Sequence, residues 1–156
     1  MLEIDVPGFR TLRLQHLVLD YNGTLACDGE LLDGVKDRLD ALAGTLQIHI
    51  LTADTFGMAR AQLVGILCNL SILPVEAQDR RKLEYIQRLG PATTVCVGNG
   101  RNDRLMLQEA GLGIAVVQAE GAAVQTALAA DVLSPDILAA LDLLMHPLRL
   151  VATLRS

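Results

Sequence analysis

Aromatic side chains are scarce in this chain of 156 residues, which has no tryptophan, two tyrosines and two phenylalanines. Its hydrophobic fraction of 51% therefore rests mainly on Leu, Val, Ile and Ala. Aliphatic side chains of this kind are typical of a parallel sheet that helices bury on both faces. A chain of this length can bury a sizeable core without disulfides or a structural metal, so we expect a single domain over residues 1–156.

Cysteine is also scarce, and Cys27, Cys68 and Cys96 are odd in number and lack any C-x-x-C spacing. This pattern argues against a disulfide framework and a zinc site, and it indicates reduced thiols in a cytoplasmic protein. The N-terminal MLEIDVPGFR carries acids and a Pro-Gly, unlike the apolar core of a signal peptide. No run approaches the roughly 18 apolar residues of a membrane span, so no membrane insertion is expected.

Clustered positive charge is the third feature that the chain lacks. The net charge is −5, and Arg80, Arg81 and Lys82 form its one short basic cluster. A protein that binds nucleic acid needs a basic face or stripe to attract phosphates. We therefore expect no nucleic-acid partner.

The chain does contain a regular alternation of strand and helix patterns. The strand candidates are residues 16–20, 47–52, 70–74, 93–98, 112–116 and 130–133, and the helix candidates are 34–43, 55–67, 79–89, 102–110, 121–129 and 135–145. Two alternating stretches, 2–6 and 11–15, flank Pro7-Gly8 and predict an N-terminal β-hairpin at the sheet edge. The alternation predicts an α/β fold, a three-layer, doubly wound parallel sheet.

Polar residues stand where three of the predicted strands end. Asp20 ends LVLD, Thr52 ends ILT, and Gly98-Asn99-Gly100 follows VCV. In open parallel sheets, ligands bind outside the carboxyl ends of the strands. We therefore expect these three positions to converge on one crevice.

These residues resemble the ordered motifs of the haloacid dehalogenase superfamily. The run Asp20-Tyr21-Asn22-Gly23-Thr24 resembles its first motif, D-x-D-G-T, and Thr52 ends a strand as in the second. Lys82 matches the third-motif lysine, and GNGRND, residues 98–103, resembles the fourth motif, G-D-G-x-N-D. Within the superfamily, LTADT at 51–55 looks like the L-T-G-D-N of P-type ATPases. With no insertion long enough for a cap, the chain resembles small soluble P-type-ATPase-like hydrolases.

The resemblance implies a Mg²⁺-dependent phosphohydrolase acting on a small phosphorylated substrate. Asp20 would be the nucleophile that forms an aspartyl-phosphate, and Thr52 would bind a phosphoryl oxygen. Lys82 would neutralise the charge of the phosphoryl group and keep Asp20 ionised. The resemblance also implies two larger sets of residues. Substrate contacts are implied for Asn22, Gly23, Thr24, Ala53 and Asn102, with backbone amides of the 22–24 turn as phosphate donors. Mg²⁺ contacts are implied for Asp20, the backbone carbonyl of Asn22, and the side chains of Asn99 and Asp103.

Two departures from the motifs weaken this expectation. Asn22 stands where phosphatases of the superfamily have the acid that protonates the leaving group, and Asn99 replaces a carboxylate metal ligand. We therefore expect slow turnover, with a preference for acidic leaving groups. A catalytically impaired module that binds a phosphorylated ligand or an ion-transport partner is the alternative. A capless sugar phosphatase is a further one, disfavoured by Asn22.

Some assignments stay open on the sequence alone. Asp54 either caps the following helix or has an ATPase-like role, and Lys82 could belong to a solvated basic helix face. The apolar segment 144–154 packs on its own sheet or forms a homo-oligomer interface.

Overall fold

The computed structural model describes all 156 residues. Its strands are β1 (Leu2–Val6), β2 (Arg10–Leu14), β3 (His16–Asp20), β4 (Ala26–Cys27), β5 (Glu30–Leu31), β6 (Gln47–Thr52), β7 (Asn69–Ile72), β8 (Thr94–Gly98), β9 (Leu112–Val116) and β10 (Val132–Ser134). Its helices are α1 (Val35–Leu42), α2 (Ala59–Gln62), α3 (Gln78–Leu89), α4 (Arg104–Glu109), α5 (Val124–Ala129), α6 (Ile137–Met145) and α7 (Pro147–Leu154). Short 3-10 turns, Pro91–Thr93 and Arg101–Asp103, precede β8 and α4.

Six strands form a parallel sheet in the order β10-β9-β8-β3-β6-β7. Strand β3 lies in the middle, with Asp20 beside Leu51 of β6 and Leu19 beside Val97 of β8. From β3 the chain adds β6 and β7 on one side and then returns to add β8, β9 and β10 on the other side. The order of connections therefore reverses at β3, and a crevice opens at such a switch point. The predicted α/β fold is confirmed.

Two apolar clusters cover the two faces of this sheet. The larger contains 29 buried residues and includes side chains of α1, α6, α7 and the N-terminal hairpin. The smaller contains 8 buried residues and includes side chains of α3 and α4. This arrangement is the three-layer architecture that the aliphatic composition predicts.

The N-terminal hairpin is present, but it forms a two-stranded sheet of its own and does not extend the main sheet. Its alternate residues Ile4, Val6, Leu12 and Leu14 are buried in the larger cluster. Helix α7 covers it, because Leu150 is buried and the Ser156 amide donates to the Pro7 carbonyl at 3.2 Å. The C-terminal apolar segment therefore packs on its own chain, and oligomerisation stays a prediction.

The helix expected over residues 55–67 is mostly wrong, because only α2 (Ala59–Gln62) is α-helical there. Gly57 and Gly65 have φ angles of 67° and 82°, which a continuous helix does not allow. The other elements match within a few residues.

The connection between β3 and α1 holds only the short β4–β5 hairpin, and α2 and β7 lie between β6 and α3. Neither connection contains a cap domain, as expected. No single helix is long and apolar enough to cross a membrane; α6 and α7 reach that length and composition only as a pair, bent by 101°.

Candidate active site

A cleft of about 640 Å³ opens at the carboxyl end of the parallel sheet. The predicted site residues that line it are Asp20, Asn22, Thr52, Ala53, Asn99 and Asn102. The lining also includes Arg101, Asp79 and Glu120, and few of its residues are hydrophobic. The expected convergence of three strand ends is therefore present in the structure.

The Lys82 ammonium lies behind the cleft between two carboxylates. Its Nζ donates to Asp20 Oδ1 and to Asp103 Oδ1, each at 2.7 Å. Lys82 and Asp103 are fully buried, and Asp20 is 8% exposed. Lys82 belongs to α3, whose other basic residues near it, Arg80 and Arg81, are exposed. The solvated-face interpretation of Lys82 is therefore wrong.

Two carboxylates that share one ammonium leave this buried cluster with surplus negative charge. Burial, and then the charge of Asp103, raise the pKa of Asp20 to about 6, although Lys82 works in the opposite direction. Burial lowers the pKa of Lys82, but Asp103 and Asp20 outweigh it and raise that pKa above its ordinary value. The lysine therefore stays charged, and a further cation or bound donor would relieve the excess charge.

The fourth-motif loop wraps around Asp103. Its Oδ2 accepts from the amides of Asn99 at 3.0 Å and Gly100 at 2.9 Å, while its Oδ1 accepts from Lys82. A Cβ at Gly98 would lie 2.5 Å from the Asp103 carboxyl carbon, so only glycine fits this close approach. Both oxygens of Asp103 are thus engaged by Lys82 and by the loop. Asp103 therefore positions Lys82 and the loop, and the direct Mg²⁺ contact expected for it is not what the structure provides.

The first-motif turn also uses most of its own donors. The Gly23 amide donates to the Ala26 carbonyl at 2.7 Å, and the Thr24 amide donates to the Tyr21 backbone carbonyl at 3.1 Å. Gly23 has φ of 82°, a left-handed conformation that favours glycine. The expectation that these two amides bind phosphate therefore needs correction, because both are already committed to the turn.

Thr24 is fully buried, and its hydroxyl lies between the first and fourth motifs. It is 3.3 Å from Asp20 Oδ2 and 3.4 Å from Asn99 Oδ1. Thr24 does not line the cleft. It orients the carboxylate and the amide, and the expected substrate contact is not what the structure provides.

The Thr52 hydroxyl lies at the cleft and has a hydrogen that no protein atom accepts. Its Oγ1 accepts from the Asp54 amide at 2.9 Å, so the hydroxyl hydrogen is available to donate. The Asp54 carboxylate in turn accepts from the amides of Met58 and Ala59, at 3.0 and 2.9 Å. Asp54 therefore satisfies the first backbone amides of α2, whose N-cap position is Met58, and this agrees with the helix-capping role that the sequence left open.

The oxygen atoms around Asp20 match the preference of a hard cation. Asp20, Asn22 and Asn99 all line the cleft, and the buried Asn22 Oδ1 accepts no hydrogen bond. Carboxylate and amide oxygens are typical Mg²⁺ ligands. No group of three or more His, Cys, Asp or Glu side chains could hold a metal ion, so such a site would depend partly on neutral amides. The donor set fits Mg²⁺, with reduced charge.

Sequence reasoning missed three residues near the cleft. Gln78 Oε1 accepts from Asn102 Nδ2 at 2.8 Å, which fixes the Asn102 amide against α3. Gln118 and Glu120 follow β9 and reach the first-motif turn. No motif marks these two residues, because their position depends on how β9 packs beside β8.

Comparison with known proteins shows what this chain is similar to. No protein-family model matches it. It is 45% identical over 75 residues to the uncharacterized protein MJ0073 of Methanocaldococcus jannaschii, covering 47% of this chain and 81% of that protein. It is 51% identical over 39 residues to the uncharacterized protein MJ0072 of the same organism, covering 25% of this chain and 89% of that protein.

Solved structures resemble the fold at lower identity. A Streptomyces avermitilis protein assigned to the HAD family hydrolases has a TM-score of 0.66 and 20% identity, covering 83% of this chain and 82% of that one. The cobalt-bound deoxy-D-mannose-octulosonate 8-phosphate phosphatase of Haemophilus influenzae has a TM-score of 0.71 and 14% identity, covering 86% and 88%.

A third structure is the 3-deoxy-D-manno-octulosonate 8-phosphate phosphatase of Moraxella catarrhalis in complex with magnesium, phosphate and KDO. Its TM-score is 0.65 at 18% identity, with 86% of this chain and 87% of that one covered. The chain thus belongs to the same family as the two Methanocaldococcus proteins, and it has the fold of haloacid dehalogenase superfamily hydrolases.

Proposed function

We propose that the protein is a Mg²⁺-dependent phosphohydrolase that acts through an aspartyl-phosphate on Asp20. The observation that carries this proposal is the Asp20 carboxylate, which opens on a polar cleft while a buried lysine holds it from behind. Phosphoryl transfer requires an in-line nucleophile and compensation of charge on the transferred group. The phosphatases with this fold support the same reaction class.

Asp20 would attack phosphorus while Lys82 keeps it charged. The ammonium is fully buried and absent from the cleft lining, so it acts on the carboxylate and not on the substrate directly. The hydroxyl of Thr52 would donate to a phosphoryl oxygen. Ala53 and Asn102 line the same cleft and would contact the phosphorylated substrate.

Asp20, Asn22 and Asn99 would hold Mg²⁺. When bound, the cation supplies positive charge that offsets the phosphoryl oxygens and the surplus carboxylate charge. The Moraxella structure contains magnesium and the Haemophilus structure contains cobalt, which supports a divalent cation at this fold's site. Because Asn99 adds no charge, we expect weak Mg²⁺ affinity.

Asn22 has no acidic proton to give to the leaving oxygen and cannot take one from water. Considered alone, it predicts slow turnover and a preference for aryl phosphates, acyl phosphates and anhydrides. The structural neighbours act on a sugar phosphate according to their names, but at 14–18% identity they share only the fold.

The test is an assay with p-nitrophenyl phosphate and Mg²⁺ that follows both nitrophenol release and the phosphoenzyme. We expect slow turnover by the wild type, none by Asp20→Asn, and faster turnover by Asn22→Asp. Asn69→Asp adds the same charge at an exposed position of β7 outside this cleft, and it should behave as the wild type. Turnover that survives Asp20→Asn would contradict the proposal.

A non-catalytic phosphate-binding module is the second candidate, and the amides at Asn22 and Asn99 favour it. The same assay separates the two functions. Saturable phosphate binding that Asp20→Asn preserves, with no turnover and no phosphoenzyme in the wild type, would establish the binding module.

A further inference from the structure

The turn after β9, residues 118–121, is tied to the first-motif turn. Gln118 Nε2 donates to the carbonyls of Gly23 at 3.0 Å and Thr24 at 2.7 Å. The other end of this side chain accepts from the Ile137 amide at 2.9 Å, at the start of α6. The Gly121 amide closes the turn on the Gln118 carbonyl at 2.7 Å. The Gln118 side chain thus holds the 118–121 turn against the residues that follow Asp20.

The same turn is tied to the fourth motif. Asn99 Nδ2 donates to the Gly121 carbonyl at 3.1 Å, and the Asn99 carbonyl accepts from the Ala123 amide at 2.9 Å. The first-motif turn and the fourth-motif loop therefore both fix the backbone that carries Glu120. The backbone of Glu120 is thus held at the edge of the cleft, and its exposed side chain extends from this anchored turn.

Glu120 lines the same cleft as Asp20 and Asn22. A Cβ on Gly23 would lie 2.0 Å from Glu120 Oε2, so this oxygen occupies the space above the residue that follows Asn22. None of the six ion pairs in the chain includes Glu120. A carboxylate without an ion-pair partner therefore lies beside Gly23, next to the position where the expected acid is missing.

The other acids of the cleft are less suited to move a proton there. Asp20 is the proposed nucleophile, and its two oxygens face Lys82 and Thr24. Asp79 belongs to the first turn of α3, where its Oδ1 accepts from the Arg80 amide at 2.8 Å. Glu120 is the remaining acid that lines the cleft.

We infer that Glu120 is the general acid and base of the reaction, in place of the acid missing at position 22. This inference rests on the proposed function. The role needs a carboxyl group that reaches the leaving oxygen, and the anchored turn holds Glu120 on the cleft beside the first-motif turn.

The proposed reaction has two half-reactions. In the first, an Asp20 oxygen bonds to phosphorus, the bond from phosphorus to the leaving oxygen breaks, and the proton of the Glu120 carboxyl passes to that oxygen. In the second, the Glu120 carboxylate takes a proton from water as the water oxygen bonds to phosphorus. The bond from Asp20 to phosphorus then breaks, which releases phosphate and regenerates the Asp20 carboxylate and the protonated Glu120 carboxyl group.

The test compares two substrates, p-nitrophenyl phosphate and glycerol 2-phosphate, in the wild type and in Glu120→Gln. Nitrophenolate leaves without a proton, whereas an alkoxide does not. General acid catalysis contributes about 10²–10⁴-fold, so Glu120→Gln should lower kcat/KM for glycerol 2-phosphate by about 100-fold or more. Formation of the phosphoenzyme from the nitrophenyl ester should change little, and its hydrolysis should slow.

Asp79→Asn is the matched control, because it removes the same charge from the same cleft. Its ratio of alkyl to aryl kcat/KM should equal that of the wild type. An equal ratio in Glu120→Gln, with turnover still lost in Asp20→Asn, would overturn the role of Glu120 and leave the proposed function intact. A raised Mg²⁺ requirement without a change in the ratio would make Glu120 a cation ligand and also overturn it. A wild type without turnover or phosphoenzyme would contradict the proposed function itself.

Discussion

Replacing Lys82 by Met tests the buried charge cluster most severely. The ammonium makes two 2.7 Å contacts, and its removal leaves Asp20 and Asp103 facing each other with no cation between them. Removing one partner from a buried ion pair costs about 3–5 kcal/mol. Because a domain is stable by only about 5–15 kcal/mol, Lys82→Met should lose a large part of its free energy of unfolding.

The loss should depend on pH, with a sign that follows from the carboxylates. The pKa of Asp20 is raised to about 6 even with Lys82 present, so without the lysine one carboxyl takes up a proton more readily still. The free-energy deficit of Lys82→Met should therefore be largest well above about pH 6 and should shrink as the pH falls. Urea unfolding followed by far-ultraviolet circular dichroism measures it.

Arg38→Met is the matched control for Lys82→Met. Arg38 pairs with Asp142 at 2.8 Å, with side chains 27% and 26% exposed, so solvent screens this ion pair. Its removal should therefore cost much less of the free energy of unfolding than the removal of Lys82. The double variant Lys82→Met/Asp103→Asn should be more stable than the sum of the single effects, by about 0.5–3 kcal/mol. A Lys82→Met deficit no larger than that of Arg38→Met, or one independent of pH, would refute the buried-cluster reasoning.

Three further predictions follow from other contacts. Thr52→Val should lower kcat/KM about 100-fold because it removes a donor to the phosphoryl group, whereas Thr52→Ser should retain most activity; a small loss in Thr52→Val would exclude that donor. Burial, and then the charge of His16, lower the pKa of His49 from 6.5 to about 4, so the unfolded chain alone binds a proton between these pH values. The contribution of His49 to the free energy of unfolding should therefore fall by up to about 3 kcal/mol as the pH decreases through this window, while the raised pKa of Asp20 acts in the opposite direction. Subtracting the profile of His49→Gln isolates the contribution of His49, and identical profiles would contradict it. Asn99→Asp would set a carboxylate against the Gly121 carbonyl, so its Tm without Mg²⁺ should drop and its Mg²⁺-induced rise in Tm should exceed that of the wild type; an equal rise would remove Asn99 from the cation site.

Strands could be predicted well because their apolar runs are short and end on turn residues. Strands β3 and β6 have the predicted bounds, since LVLD and ILT stop at polar residues. The helix over 55–67 was wrong because its apolar spacing says nothing about Gly57 and Gly65, whose positive φ angles break the backbone there. Helix periodicity reports which face is apolar, but not whether the chain stays helical.

The candidate site could be predicted where a residue follows a strand within one motif. Asp20, Thr52 and Asn99 are such residues, and they line one cleft. The sequence left Lys82 ambiguous between a solvated and a buried role, because its charged neighbours in α3 hide the one position that turns inward. Glu120 could not be found, since its approach to Gly23 depends on tertiary packing of two loops.

Trapping the phosphoenzyme tests the central claim most directly. The intact mass of the wild type would be measured after a short incubation with p-nitrophenyl phosphate and Mg²⁺ and an acid quench, beside that of Asp20→Asn. We expect a phosphoryl adduct on the wild type that maps to the peptide containing Asp20 and is absent from Asp20→Asn. An adduct that persists in Asp20→Asn, or turnover by the wild type without any adduct on Asp20, would contradict this claim.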